Sequence, residues 1–350
     1  MAREIARRID RFDVRVVAPA QPGDHEVDSK IGASVHRVKA LGFGSKGTYA
    51  AVNIAAYREA KSWKPDVALA MHTLAAPGLL ATRIPTAVCT YAVELLSPRI
   101  RRVAGRVLPR AERVIAVSNF SARASIACGA RNDRVAVIPT GAPEPRDLTA
   151  PAVHGFRERY GLGGDPVILT VARLLPHKGI DRVIACLPSL PEVRYLVVGD
   201  GPARGELERA AALLGVSDRV TFTGPLADDD MPLAYGSADI FALLSRDTGG
   251  QGVEGCPVAL LEASAYGLPI VAGRTGGIAD AVEDDVTGLL VDPENMAEAI
   301  GALSSVLNQP DLAKRLGNLA KVRATTERSW AAVVERFEDE LEGIVRRAAR

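Results

Sequence analysis

The chain predicts an α/β protein built from two domains with parallel sheets. Three observations carry this. Short, β-rich apolar runs alternate with helical stretches along the whole length, the rhythm of a parallel sheet whose crossovers are helices. At 350 residues the chain exceeds one ordinary domain and suits two, and its 47% apolar and 24% charged residues are those of a globular protein. A proline-spaced segment, GAPEPRDL (141–148), separates two such series.

In the first series, residues 1–10 (MAREIARRID) read as a helix with Ile5 and Ile9 on one face. Strands are expected at 13–19, 34–38, 66–71, 85–90, 114–117 and 135–138, with helices near 47–63, 74–82, 98–110 and 119–129. Ligands of parallel sheets collect beyond the carboxyl ends of strands. His72, Tyr91, Glu94, Ser118 and Thr140-Gly141 fall at such ends. A doubly wound domain ordinarily opens with a strand and a glycine-rich turn, whereas this chain opens in the helix. The expectation is an absent first strand or a start placed late.

A helix near 151–160 leads into the second series. Strands are expected at 167–171, 195–198, 220–223, 240–244, 270–272 and 288–291, all short and nearly all apolar, as when both faces are covered. Helices fall near 179–187, 204–214, 228–236, 257–266, 277–282, 294–307 and 310–322, and a long amphipathic helix over 330–347 closes the chain. The domains expected are 1–145, 150–328, and a terminal helix over 329–350 that packs back on the first domain.

Composition excludes several classes. Cys89, Cys128, Cys186 and Cys256 show no metal or disulfide spacing and read as free thiols in a reducing compartment. No run approaches the roughly 20 apolar residues of a membrane span, so a cytoplasmic location is expected. The net charge of +1 hides an asymmetry: residues 1–150 hold 23 Lys and Arg against 13 Asp and Glu, and the remainder is acidic. Arg99, Arg101, Arg102, Arg106, Arg110 and Arg113 concentrate the surplus. Such a cluster is either a solvated face or a surface for anionic lipid or an anionic acceptor. It lacks interleaved aromatics, which argues against nucleic acid.

Chemistry-bearing residues cluster in the second series. Strand 167–171 runs into ARLLPHKG, so Arg173 and Lys178 sit between a strand end and a helix start, where two cations suit a diphosphate. They equally suit a solvated loop. Gly224 and Pro225 end another strand, where main-chain groups could hold a nucleobase. Gly276-Gly277 makes a further backbone-lined strand end. Asp228-Asp229-Asp230 precedes an apolar helix, and capping is a better account of it than a metal. In EGCPVALLE (254–262), led in by Gly249, Gly250 and Gly252, Glu254 and Glu262 flank a helix start. Pro257 suits the first turn, Gly267 the stop. Eight residues of helix span about 12 Å, the length of a sugar diphosphate joined to a ribose. Taken alone, the pair is as well read as solvated glutamates around a buried helix.

Together these pieces resemble the retaining glycosyltransferases of family 4, which have the GT-B fold: two Rossmann-like domains whose parallel sheets face a cleft. The matching segments are VARLLPHKG (171–179), LVVGDGP (196–202), VTFTGPL (220–226), SADIFALLS (237–245), EGCPVALLEASAYGLPIVA (254–272), GGIADAV (276–282) and TGLLVDP (287–293). The GGQGVEG lead-in is most similar to mannosyltransferases that act on phosphatidylinositol mannosides. The resemblance implies a UDP- or GDP-linked hexose donor, mannose or glucose-like, with no cofactor and no metal. Arg173 and Lys178 would hold the diphosphate, Glu262 the ribose hydroxyls, and Glu254 the donor sugar or its oxocarbenium-like state. Main-chain groups at Gly255, Cys256, Val258 and Ala259 would complete the cradle, with Gly224 and Pro225 near the base. His72, Tyr91 and Glu94 would lie on the acceptor side. The acceptor is not identified; the basic first domain leans towards a lipid-linked or anionic acceptor, with a glycan as the alternative, and towards a peripheral place on the inner membrane face. Oligomeric state is left open.

Three departures stand against the family pattern. Its first strand and glycine-rich loop would precede Met1. Its usual histidine in the segment matching 90–94 is replaced by Tyr91 or Ala92. Pro257 stands where glycine is frequent, removing one N–H. Two other functions therefore compete, a nucleotide-sugar-binding protein without turnover and a nucleotide-sugar epimerase.

Overall fold

Short, mostly apolar runs of three to five residues form twelve strands among the described residues, and the structure, a computed structural model, pairs them all in parallel. It describes residues 1–41, 44–249 and 252–350, without the side chains of Val27 and Ser45. Gly250 and Gln251 of the glycine-rich lead-in lie outside the described residues. The chain divides into two compact units, one of Met1–Gly141 with Trp330–Arg350, the other of Ala142–Ser329.

The first unit holds β1 (Arg15–Pro19) and β2 (Ser34–Val38) as one two-stranded sheet. A second sheet runs β3 (Ala68–Ala70), β4 (Thr86–Thr90), β5 (Arg113–Ala116), β6 (Val135–Val137) in that order. The terminal helix Trp330–Ala348 covers this sheet, burying Val333, Val334, Phe337, Leu341 and Ile344 against Ala87, Cys89, Ile115 and Ile138. Its Glu338, though buried, is satisfied: it accepts the main-chain N–H of Asp10 at 2.9 Å and of Arg11 at 2.8 Å. A buried carboxylate bonded in this way pins the N-terminal segment to the terminal helix.

The second unit is a six-stranded sheet in the order β12-β11-β10-β7-β8-β9. The strands are β7 (Val167–Val171), β8 (Arg194–Val198), β9 (Val220–Gly224), β10 (Ile240–Leu243), β11 (Ile270–Gly273) and β12 (Leu289–Val291). Side chains alternate between faces. Ile168, Tyr195, Val197, Ile240 and Ala242 face the helices Ile180–Cys186, Arg204–Leu213 and Met296–Asn308. Leu169, Leu196, Phe241, Leu243 and Ile270 face the helices Met231–Gly236 and Val258–Ala265. Both faces are buried, which is why these strands read as unbroken apolar runs rather than alternating ones.

Candidate functional site

Strand order reverses between β7 and β10, which are neighbours. The chain leaving β7 goes to the helix on one face, and the chain leaving β10 to the helix on the other. The loops beyond such a switch point part and leave a crevice where ligands bind. Lys178 and Glu254 come from these two loops. Lys178 ends the short 3-10 turn Pro176–Lys178, and Gly179 follows with φ +69°. A Cβ on Gly179 would lie 1.8 Å from the Leu244 carbonyl oxygen, so only glycine lets the β7 loop rest directly on the end of β10. Arg246 ties the loops again. Its main-chain N–H donates to the His177 carbonyl at 2.9 Å, and its guanidinium to both Asp181 oxygens at 3.0 and 2.8 Å.

Glu254 is 7% exposed. Its Oε1 accepts from the Lys178 ammonium and, at 3.3 Å, from the Ser245 hydroxyl, with His177 Nε2 at 3.9 Å. Burial and the adjacent Lys178 push the His177 pKa down. The Glu254 carbonyl accepts the Gly277 N–H at 2.7 Å, and Gly276, at φ +53°, has room for no Cβ against that same carbonyl. Lys178, Glu254, His177 and Ser245 thus form one buried charged cluster.

The other candidates lie apart from it. Glu262 is half-buried and bonds to no cation among the described residues; its Oε2 accepts the Tyr235 hydroxyl at 2.5 Å. Arg173 is exposed, and its guanidinium forms no hydrogen bond or ion pair among the described residues. Gly224 ends β9 at φ +72° and exchanges main-chain contact with Gly199, whose N–H it accepts at 2.9 Å, while Pro225 is exposed. Gly255 is buried, Cys256 and Ala259 are half-buried, and Val258 is exposed. Pro257 is the N-cap, extended at φ −70° and ψ 111°, not a first-turn residue, and the helix begins at Val258. It ends as the glycine predicts: Gly267 takes φ +76° and Leu268 N–H reaches back to the Ala263 carbonyl.

In the first unit, Tyr91 and Glu94 meet beyond β4. Tyr91 N–H donates to Glu94 Oε1 at 2.9 Å. Between them Ala92 is held at φ +70° and ψ −55°, with Val93 N–H bonded to the Tyr91 carbonyl, a tight turn that costs a non-glycine residue on the order of 1–3 kcal/mol. His72 bonds within its own turn instead, its Nδ1 accepting Leu74 N–H at 3.0 Å, so the ring proton sits on Nε2. Tyr49 stacks on it at 5.2 Å, and burial lowers its pKa, leaving it neutral. Burial raises the Glu94 pKa, only partly offset by its main-chain bonds. A carboxyl whose folded pKa is raised loses stability as pH climbs from its unfolded value, about 4.3, through its folded value. Glu94→Gln, which keeps an oxygen for Tyr91 N–H, is therefore expected to melt higher than the natural protein at pH 7. The gap should close below about pH 4; melting curves across that range test it, and an unchanged gap would count against a buried, uncompensated carboxylate.

Two further expectations are corrected. Asp229 and Asp230 do not cap the helix Met231–Gly236, which has no side-chain cap; they pair with Arg146 at 2.7 Å and Arg159 at 3.1 Å. Arg113 leaves the basic cluster, pairing with Glu340 at 2.6 Å. Arg99, Arg101, Arg102, Arg106 and Arg110 are exposed and form no ion pair among the described residues. Among those residues there is also no group of three or more His, Cys, Asp or Glu placed to hold a metal, and no helix is long and apolar enough to cross a membrane.

Two parallel-sheet units of this kind define the GT-B glycosyltransferase class. Over 98% of this chain and 95% of the other, the structure matches Anabaena Alr3699/HepE in complex with UDP and glucose, at TM-score 0.81 and 24% identity. It matches the sucrose-phosphate synthase of Thermosynechococcus elongatus over 100% and 93%, at TM-score 0.79 and 19% identity. Residues 1–144 match Glycosyltransferase Family 4 and residues 155–323 match Glycosyl transferases group 1, which together take in most of the chain. The protein belongs to the family 4 glycosyltransferases. A relative described as a GDP-mannose-dependent alpha-(1-6)-phosphatidylinositol monomannoside mannosyltransferase, from Mycolicibacterium smegmatis, is 37% identical over 61% of this chain and 57% of its own. That of Mycobacterium tuberculosis is 35% identical over 59% and 55%. The alpha-D-kanosaminyltransferase of Streptomyces kanamyceticus is 31% identical over 55% and 48%. The chain spans about half the length of these curated relatives.

Proposed function

We propose that the protein transfers a hexosyl group from a nucleoside diphosphate sugar to an acceptor hydroxyl with retention at the anomeric carbon. The observation that carries this is the Lys178–Glu254 contact at the switch point, where Gly179 lets the β7 loop rest on the end of β10 and Gly276 lets the loop after β11 close on Glu254. Lys178 and the exposed Arg173 hold the diphosphate and stabilise the charge it gains on leaving. Glu262 binds the ribose hydroxyls and Glu254 the sugar. The bond from the anomeric carbon to the phosphate oxygen breaks, the acceptor oxygen bonds to that carbon on the same face, and the departing phosphate takes the acceptor proton. The residues named do this without a metal. The names of the relatives favour GDP-mannose as donor and a phosphatidylinositol glycolipid as acceptor. The five exposed arginines of the helix Pro98–Val107 and the turn after it, which form no ion pair among the described residues, suit an anionic membrane face. His72, Tyr91 and Glu94 are assigned to the acceptor side.

One experiment tests the reading. GDP-, UDP- and ADP-sugars are screened by thermal shift, since a ligand of the native state raises apparent stability. The best donor is then incubated with vesicles containing phosphatidylinositol lipids, and lipid-borne sugar is measured. GDP-mannose should shift the melting temperature most and label the lipid, and Arg173→Ala and Glu262→Ala should abolish labelling. Full labelling by both variants would sink the site assignment; binding with no transfer from any donor would sink the enzyme.

A further inference from the structure

Among the polar groups that the proposed chemistry does not use, Tyr235 is almost wholly enclosed and bonds directly to one that it does. It closes the helix Met231–Gly236 and is 2% exposed. Tyr266 lies parallel to its ring, centroids 5.3 Å apart and planes 4° apart, and Phe241 stacks at 6.1 Å. The Tyr266 hydroxyl accepts the Arg146 main-chain N–H at 3.1 Å, which fixes the outer ring of the stack. So clamped, the Tyr235 ring has no freedom to swing, and its hydroxyl points at Glu262 Oε2 from 2.5 Å. Burial and the facing carboxylate hold its pKa well above the ordinary phenol value, so it donates at any working pH.

A carboxylate offers two oxygens and about four acceptor directions. With Oε2 bound to a rigid donor, the plane of the Glu262 carboxylate is set, and Oε1 forms no hydrogen bond among the described residues. One oxygen is anchored and the other open, the arrangement that receives two adjacent hydroxyls in a fixed orientation. We infer that Tyr235 is a positioning residue: it orients Glu262 to receive the ribose diol of the donor nucleotide, and so sets the preference for ribose over deoxyribose. This rests on the proposed assignment of Glu262 to the ribose.

The ratio of affinities for a nucleotide and its 2′-deoxy form isolates the effect, because a general loss of packing weakens both alike. Calorimetric titrations compare GDP with 2′-deoxy-GDP, and UDP with 2′-deoxy-UDP, on the full chain, on Tyr235→Phe and on Glu262→Ala. Loss of this bond to a charged acceptor should weaken ribonucleotide binding by about tenfold. Deoxynucleotide affinity should change by no more than about twofold, and the ratio should collapse toward that of Glu262→Ala. In the Glu262→Ala background, adding Tyr235→Phe should change nucleotide affinity no further. If Tyr235→Phe keeps the natural ratio while Glu262→Ala abolishes it, the positioning role is wrong and the ribose assignment stands. If Glu262→Ala itself keeps the ratio, the assignment falls and the inference with it. Should Tyr235→Phe fold poorly, Tyr235→Trp on the same titrations replaces it, with an unaltered ratio again overturning the inference.

Discussion

Lys178→Ala should weaken binding of GDP or UDP by about tenfold to a hundredfold, whereas Glu254→Gln should leave it unchanged or tighter. The two site charges neutralise each other in the free protein, where Lys178 donates to Glu254 and both are mostly buried. On the proposed assignment, a diphosphate would therefore compete with Glu254 for the ammonium. Removing the ammonium removes the ligand's partner; removing the carboxylate's charge removes only its competitor. On the proposed roles, transfer should fail in both variants, by about 100-fold or more, since one would lose the stabiliser of the leaving charge and the other the group facing the sugar. Stability should separate them too. Lys178→Ala leaves Glu254 with the Ser245 hydroxyl at 3.3 Å and the His177 ring at 3.9 Å in place of the ammonium, and breaking a buried pair in this way costs on the order of 3 kcal/mol. Titration calorimetry with GDP and UDP, paired with denaturant midpoints, reads all of this. Equal weakening of nucleotide binding by both variants would refute the competition.

How much of this was open to sequence reasoning follows from the range over which each feature acts. Strands such as Val167–Val171 and the helix stop at Gly267 are local, set by apolar runs and by a residue that takes positive φ, and sequence placed them within a residue or two. The parallel α/β class and the GT-B resemblance rest on such local signals. The division of the first unit's strands into two sheets is a matter of pairing, which no local pattern encodes. Charge partners failed for the same reason. Asp229 and Asp230 look like helix caps until Arg146 and Arg159, distant in sequence, arrive beside them. Lys178 and Glu254 each read from sequence as candidates, Lys178 between a strand end and a helix start and Glu254 just before a helix start, but their mutual contact crosses 76 positions. Tyr235 had no signal at all, since a tyrosine on an apolar helix reads as core, and it is core; only the direction of its hydroxyl gives it more to do.

The largest structural effect is expected from a single methyl group. Gly179→Ala asks an L-residue to hold φ +69° and ψ 21°, which by itself costs roughly 1–2 kcal/mol. It also places the new Cβ 1.8 Å from the carbonyl oxygen and 2.3 Å from the carbonyl carbon of Leu244. Leu244 has no room to retreat: it is fully buried at the end of β10, and the next carbonyl, that of Ser245, accepts the Thr275 hydroxyl at 3.1 Å. The β7 loop must therefore lift off β10, carrying Lys178 from Glu254 and parting the contacts that hold Arg246. A loss above about 4 kcal/mol is expected, the range reserved for core clashes and backbone strain. Gly163→Ala separates the two contributions. It too sits at positive φ, +55°, but a Cβ there meets nothing within 4 Å, so only the conformational cost of about 1 kcal/mol remains. Denaturant unfolding should show a far lower midpoint for Gly179→Ala than for Gly163→Ala at similar slopes. Nucleotide binding should be lost in the first and kept in the second. Equal destabilisation of the two would mean that the β7 loop does not rest on β10 as described, and the switch-point site would lose its floor.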